Sequence, residues 1–69
     1  MRGTKEKVLI LENSNGVNIW INTLNIQYFE REHHIDNSGV RKLYTRINLT
    51  NGSILVHETC EKIKQLIEN

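Results

Sequence analysis

Hydrophobic and polar residues alternate along most of this chain, and short clusters of turn-forming residues interrupt the alternation. Over residues 17–22, Val17, Ile19 and Ile21 fall on one side of an extended segment, and Asn18, Trp20 and Asn22 fall on the other. That period of two belongs to a strand with one buried face. Residues 41–50 repeat it, with Leu43, Thr45, Ile47 and Leu49 set against Lys42, Tyr44, Arg46 and Asn48. Segments 7–12, 26–32 and 53–57 are also rich in strand-favouring residues. Five strands are predicted.

The turns between them are marked by glycine and asparagine. Asn15-Gly16 and Asn51-Gly52 each stand between two apolar runs, and Asn-Gly favours the type I′ turn of a tight hairpin. Thr23-Leu24-Asn25 reads as a bend, and residues 33–40, around Asp36 to Gly39, as a longer mobile loop. The chain ends in a helix. Thr59 is its N-cap, with Glu58 and Glu61 near the positive end of the dipole. Cys60, Ile63, Leu66 and Ile67 form one apolar stripe at helical spacing. A helix of about ten residues does not persist alone in water, so it must lie on the sheet. The expected fold is a small α+β domain, an antiparallel meander of four to five strands with one C-terminal helix packed on one face. It occupies residues 1–69 as a single domain, with 1–6 flexible.

That arrangement leaves apolar surface uncovered. Residues 8–11 (Val-Leu-Ile-Leu) and 54–56 (Ile-Leu-Val) are apolar on both sides of the strand, which indicates burial from two directions. Five strands make a sheet roughly 19 Å wide, and one helix about 10 Å across shelters half of one face. Leu9 or its neighbours, together with Trp20, Tyr28 and Tyr44, are therefore expected on an exposed patch of the kind that marks an interaction surface. A second chain covers such a patch, most simply an identical copy in a dimer. A sheet that curls and closes on itself is the alternative.

Composition narrows the class. The chain has 69 residues, 38% of them hydrophobic, and a formal charge of +1. This is a globular composition at the small end of what folds alone. Cys60 is the only cysteine, so no internal disulfide framework exists. No apolar run is long enough to span a membrane, and the run at 8–11 is too short for a signal peptide. The cytoplasm is the expected compartment.

Candidate chemistry is sparse. His33-His34, flanked by Glu30, Glu32 and Asp36, raises the question of a metal site, but adjacent residues of an extended chain point to opposite sides. His57 and Cys60 stand three apart near the helix start, yet Cys60 also belongs to the apolar stripe and no third group orients the pair. No glycine-rich phosphate loop is present. Neither catalytic nor cofactor-binding nor metal-ligating residues are expected. Arg31, Arg41, Lys42 and Arg46 cluster near the long loop, interleaved with Tyr28 and Tyr44 and with Lys5 and Lys7 nearby. Such a set can track phosphates and stack bases. Against this, the same region holds Glu30, Glu32 and Asp36, which suit a solvated surface of cross-strand ion pairs.

Several of these features together resemble the FlbD-like family of small flagellar proteins. They are Asn15-Gly16, the strand ending at Asn22, the acid-bearing strand from Ile26, Leu49-Thr50-Asn51-Gly52, and Glu58-Thr59 opening a helix with Glu61 and Ile63. The central stretch from Arg31 to Lys42 is longer than that family's, and Lys62 stands where it tends to be acidic. The resemblance implies a non-enzymatic accessory protein. The run from Ile21 to Leu66 also looks like the strand-and-helix pattern of LytTR-type DNA-binding domains, which are longer. The function expected is a non-catalytic interaction module that self-associates and docks on a larger protein. The alternative is a nucleic-acid-binding regulator using Arg31, Arg41, Lys42 and Arg46.

Overall fold

A computed structural model describes residues 7–69 of the chain. Strands β1 (Val8–Glu12), β2 (Asn18–Asn22), β3 (Ile26–Ile35), β4 (Arg41–Leu49) and β5 (Gly52–Val56) precede one helix, α1 (Cys60–Glu68). A single 3₁₀ turn at Thr23–Asn25 carries the chain from β2 into β3, with the Asn22 side chain accepting from the Leu24 N–H at 2.9 Å. All pairings are antiparallel. β1 and β2 form a two-stranded sheet, and β3, β4 and β5 form a three-stranded one.

The two sheets are joined where β1 ends. Asn13 bridges Val56, the His57 N–H donates to the Glu12 carbonyl at 2.8 Å, and the Ser14 N–H donates to the Leu55 carbonyl at 3.1 Å. Both sheets turn their inner faces to one core. Leu9, Leu11 and Ile21 enter it from the first sheet, Ile47 and Val56 from the second, and Ile63 from the helix. The expected α+β meander with a helical lid is therefore present, and its strands lie in two sheets around the lid.

The helix is anchored at both ends. Thr59 accepts the Lys62 N–H at 3.1 Å as N-cap. At the other end, Lys7 Nζ donates to the carbonyls of Leu66 and Ile67, each at 3.1 Å, and to that of Asn69. A cation thus sits at the negative end of the helix dipole, supplied by the opposite end of the chain.

Three details differ from the expectation. Both Asn-Gly hairpins form, but no residue other than glycine has a positive φ among the described residues, so neither turn is type I′. Asn13 opens a three-residue loop instead. Its side chain accepts the N–H groups of Asn15 (3.0 Å) and Val17 (2.9 Å), and Gly16 takes the left-handed position at φ +82°. Residues 33–40 are not one long loop. His33, His34 and Ile35 extend β3, paired with Leu43, Lys42 and Arg41. The remainder copies the first loop: the Asp36 carboxylate accepts from Ser38 and Val40, both at 2.9 Å, and Gly39 has φ +80°. The third difference concerns Leu9, which is buried and not part of an exposed patch. The segment expected to be flexible, 1–6, lies outside the described residues.

Candidate functional site

The register of β1 against β2 settles which side of the apolar run 8–11 meets solvent. Leu9 pairs with Ile21 and Leu11 with Ile19, all four directed at the core. Val8 pairs with Asn22, Ile10 with Trp20 and Glu12 with Asn18, so these six residues form the outer face. Val8, Ile10 and Trp20 are 57%, 55% and 66% exposed there. Side chains directly opposite in an antiparallel pair are neighbours. The indole therefore lies beside Ile10 in an apolar patch flanked by Asn18 and Asn22. Uniform hydrophobicity leaves the choice between Leu9 and its neighbours open in the sequence, and the structure resolves it in favour of Val8 and Ile10. The signal that finds them is the neighbouring strand, since whatever pairs with Trp20 shares its face.

Tyr28 and Tyr44 lie elsewhere. They belong to the outer face of the three-stranded sheet, with Glu30, Glu32 and His34 from β3 and Lys42, Arg46 and Asn48 from β4. Both sheets turn their inner faces to one core, so their outer faces look in different directions. The four residues expected on one patch, Leu9, Trp20, Tyr28 and Tyr44, are therefore spread over the core and two surfaces. Tyr44 is half-buried, its ring 5.5 Å from that of His34 and 5.1 Å from that of His57.

The basic candidates divide in the same way. Arg46 donates two parallel bonds to Glu32, Nε to Oε1 at 2.9 Å and Nη2 to Oε2 at 2.8 Å, and a third to Ser53 at 3.2 Å. These bonds, with a further contact from His34 at 2.6 Å, hold the Glu32 carboxyl at about 2 against an ordinary 4.5. The same pairing raises the Arg46 guanidinium above its ordinary value. Arg31 faces the helix side and pairs with Glu61. The Glu61 carboxyl is lowered first by its own backbone N–H and then by Arg31. Arg41 and Lys42 have no ion-pair partner among the described residues, but they are successive residues of a strand and point to opposite faces. Arg31, Arg41, Lys42 and Arg46 thus do not form one basic patch.

A cleft between β4 and the start of α1 is lined by Arg31, Leu43, Tyr44, Thr45, His57, Glu58, Thr59 and Cys60. The space it encloses is about 10 Å³, room for about one water molecule and far below the roughly 300–1,000 Å³ of small-molecule sites. At its floor the Thr45 hydroxyl donates to the Glu58 carbonyl at 2.6 Å and lies 3.7 Å from Cys60 Sγ. The His57 ring meets that of Tyr44 at a tilt of 54°. Among the described residues, no three His, Cys, Asp or Glu side chains converge to hold a metal ion, and no helix is long and apolar enough to cross a membrane.

Comparison of the chain with protein-family models, with curated proteins and with solved structures finds no match.

Proposed function

We propose that this protein is a non-catalytic interaction module that self-associates and docks on a larger partner through the outer face of β1 and β2. The observation that carries this reading is the Ile10–Trp20 pair, two large apolar side chains opposite each other on a face that nothing in the described chain covers. A tryptophan beside aliphatic side chains, with polar neighbours at the rim, is a composition common at the energetic centre of protein interfaces. A cytoplasmic setting and an accessory role of the FlbD-like kind belong to the same reading. Light scattering over a concentration series, at low and at high salt, tests it. Molar mass rising with concentration and insensitive to salt is the expected result, and a constant monomer mass overturns it.

Arg41 and Lys42 support a second reading, since they are exposed cations without carboxylate partners among the described residues, near the end of the β3–β4 hairpin. If nucleic acid is the partner, an electrophoretic shift appears and falls steeply as salt displaces the phosphate contacts. Substituting both residues by alanine then abolishes it.

A further inference from the structure

The outer edge of β2 carries the peptide Asn18-Ile19-Trp20-Ile21-Asn22, which reads the same in both directions. We infer that two copies of this chain pair antiparallel along that edge, with the two-fold axis passing at Trp20. The inference deepens the proposed self-association and rests on it.

The Asn13 N–H donates to the Val17 carbonyl at 2.9 Å, and the Thr23 N–H donates to the Lys7 carbonyl at 2.8 Å. In an antiparallel ladder the residues that exchange such bonds alternate with those that do not. Val17, Ile19 and Ile21 therefore bond β1, while Asn18 and Trp20 direct their N–H and C=O groups away from it. The opposite edge of β1 obeys the same rule. Glu12, an even-numbered residue, turns outward to accept from His57, and its N–H donates to the Glu58 carboxylate at 3.1 Å. No strand among the described residues takes up the outer edge of β2.

The sequence leaves that edge unguarded. Exposed edges are ordinarily blunted by charges, proline or a bulge. The other sheet has such an edge in β3, which carries Glu30, Arg31 and Glu32 and a register irregularity between Ile26 and Tyr28. β2 has no charge, no proline and no irregularity in its register with β1. Among the described residues, one edge is thus protected, and Asn18 and Trp20 of the other are ready for pairing.

The palindrome selects the partner and the register. With the axis at Trp20, each Trp20 exchanges two backbone bonds with Trp20 of the second copy, and each Asn18 stands opposite Asn22 of the second copy. Side-chain amides both donate and accept, so the asparagine positions suit like neighbours. On the outer face, Ile10, Trp20, Trp20 and Ile10 form one apolar row across four strands. A register slip of one residue sets Trp20 against isoleucine on opposite faces, and a slip of two sets it against asparagine and leaves strand ends unpaired. The paired state also doubles the width of the proposed docking face.

Disulfide trapping tests this in a Cys60→Ser background. Asn18→Cys and Asn22→Cys proteins are mixed, refolded together and mildly oxidised. Opposed residues of a bonded pair lie about 5.5 Å apart, within disulfide reach, whereas two copies of either position lie roughly 14 Å apart. The mixture is expected to yield covalent dimer, and either protein alone less than about a tenth of it. Because Asn22 also caps the following turn, a nitroxide on Asn18→Cys alone gives a second reading, with dipolar broadening for a separation of roughly 15 Å. If the unmodified chain self-associates but neither signal appears, edge pairing is wrong and the proposed self-association stands. If the unmodified chain stays monomeric at about 1 mM, both fall.

Discussion

Ile10 and Trp20 stand directly opposite each other across the β1–β2 ladder, and both are more than half exposed. One position along, Leu11 is 1% exposed. The same hairpin thus holds surface and core positions side by side, and substitutions should separate them. Trp20→Ser loses only a cross-strand contact in the monomer, worth roughly 0.2–1 kcal/mol. Leu11→Ala opens a cavity and costs about 2–5 kcal/mol. Urea titration at low protein concentration should show a small shift of midpoint for the first and a large one for the second. Equal losses would mean that the indole is packed in the monomer.

The loops at Asn13 and Asp36 share one construction, an acceptor side chain that gathers two N–H groups and a glycine three residues on. Asp36→Ala removes both acceptor contacts, and a loss of about 1 kcal/mol is expected, as for removal of a helix cap. Gly39→Ala forces a side chain into the left-handed region and costs roughly 1 kcal/mol. Thermal unfolding should register each as a fall of about 4–8 °C. Unchanged melting in both variants would show that the hairpin end contributes nothing to the cooperative fold.

Where β4 meets the helix, Thr45 is 1% exposed and its hydroxyl donates to the Glu58 carbonyl just ahead of the N-cap. Thr45→Val keeps the shape and removes the donor, leaving that carbonyl short of a partner at a cost of about 1–3 kcal/mol. Thr59→Ala removes the cap itself and costs about 1 kcal/mol. The two sites are neighbours, so the double variant should depart from additivity. Strict additivity would show that hydroxyl and cap act independently.

Acid should weaken the fold through Glu32. Its folded value of about 2 lies below the ordinary 4.5, so the native state binds this proton less readily than the unfolded chain. The stabilisation is complete above about 4.5 and drains away as pH falls toward about 2. Glu61, also lowered, acts in the same direction. Glu32→Gln should lower the urea midpoint at neutral pH and flatten its decline through the acid range. A parallel decline in variant and parent would place the acid sensitivity elsewhere.

Much of the architecture was legible because its signals are local. The alternation in 17–22 and 41–50, the Thr59 cap and the Ile63 stripe each announce an element through neighbours in sequence. The outer patch was legible only in part. Trp20 declares its face by standing between asparagines, whereas residues 8–11 are apolar on both sides, and only pairing with β2 assigns Leu9 inward and Ile10 outward. The Glu32–Arg46 pair spans 14 positions and exists only once β3 and β4 are in register. The loop at Asp36 was hidden by its polar residues, yet Asn13-Ser14-Asn15-Gly16-Val17 beside Asp36-Asn37-Ser38-Gly39-Val40 displays the shared turn.

Sedimentation equilibrium of the parent chain beside Trp20→Ser tests the central claim most directly. The account predicts that the parent's weight-average mass climbs toward that of a dimer as concentration rises, while the folded variant keeps the 8.1 kDa of one chain. A parent that remains at monomer mass throughout, or a variant that associates as readily as the parent, would contradict it.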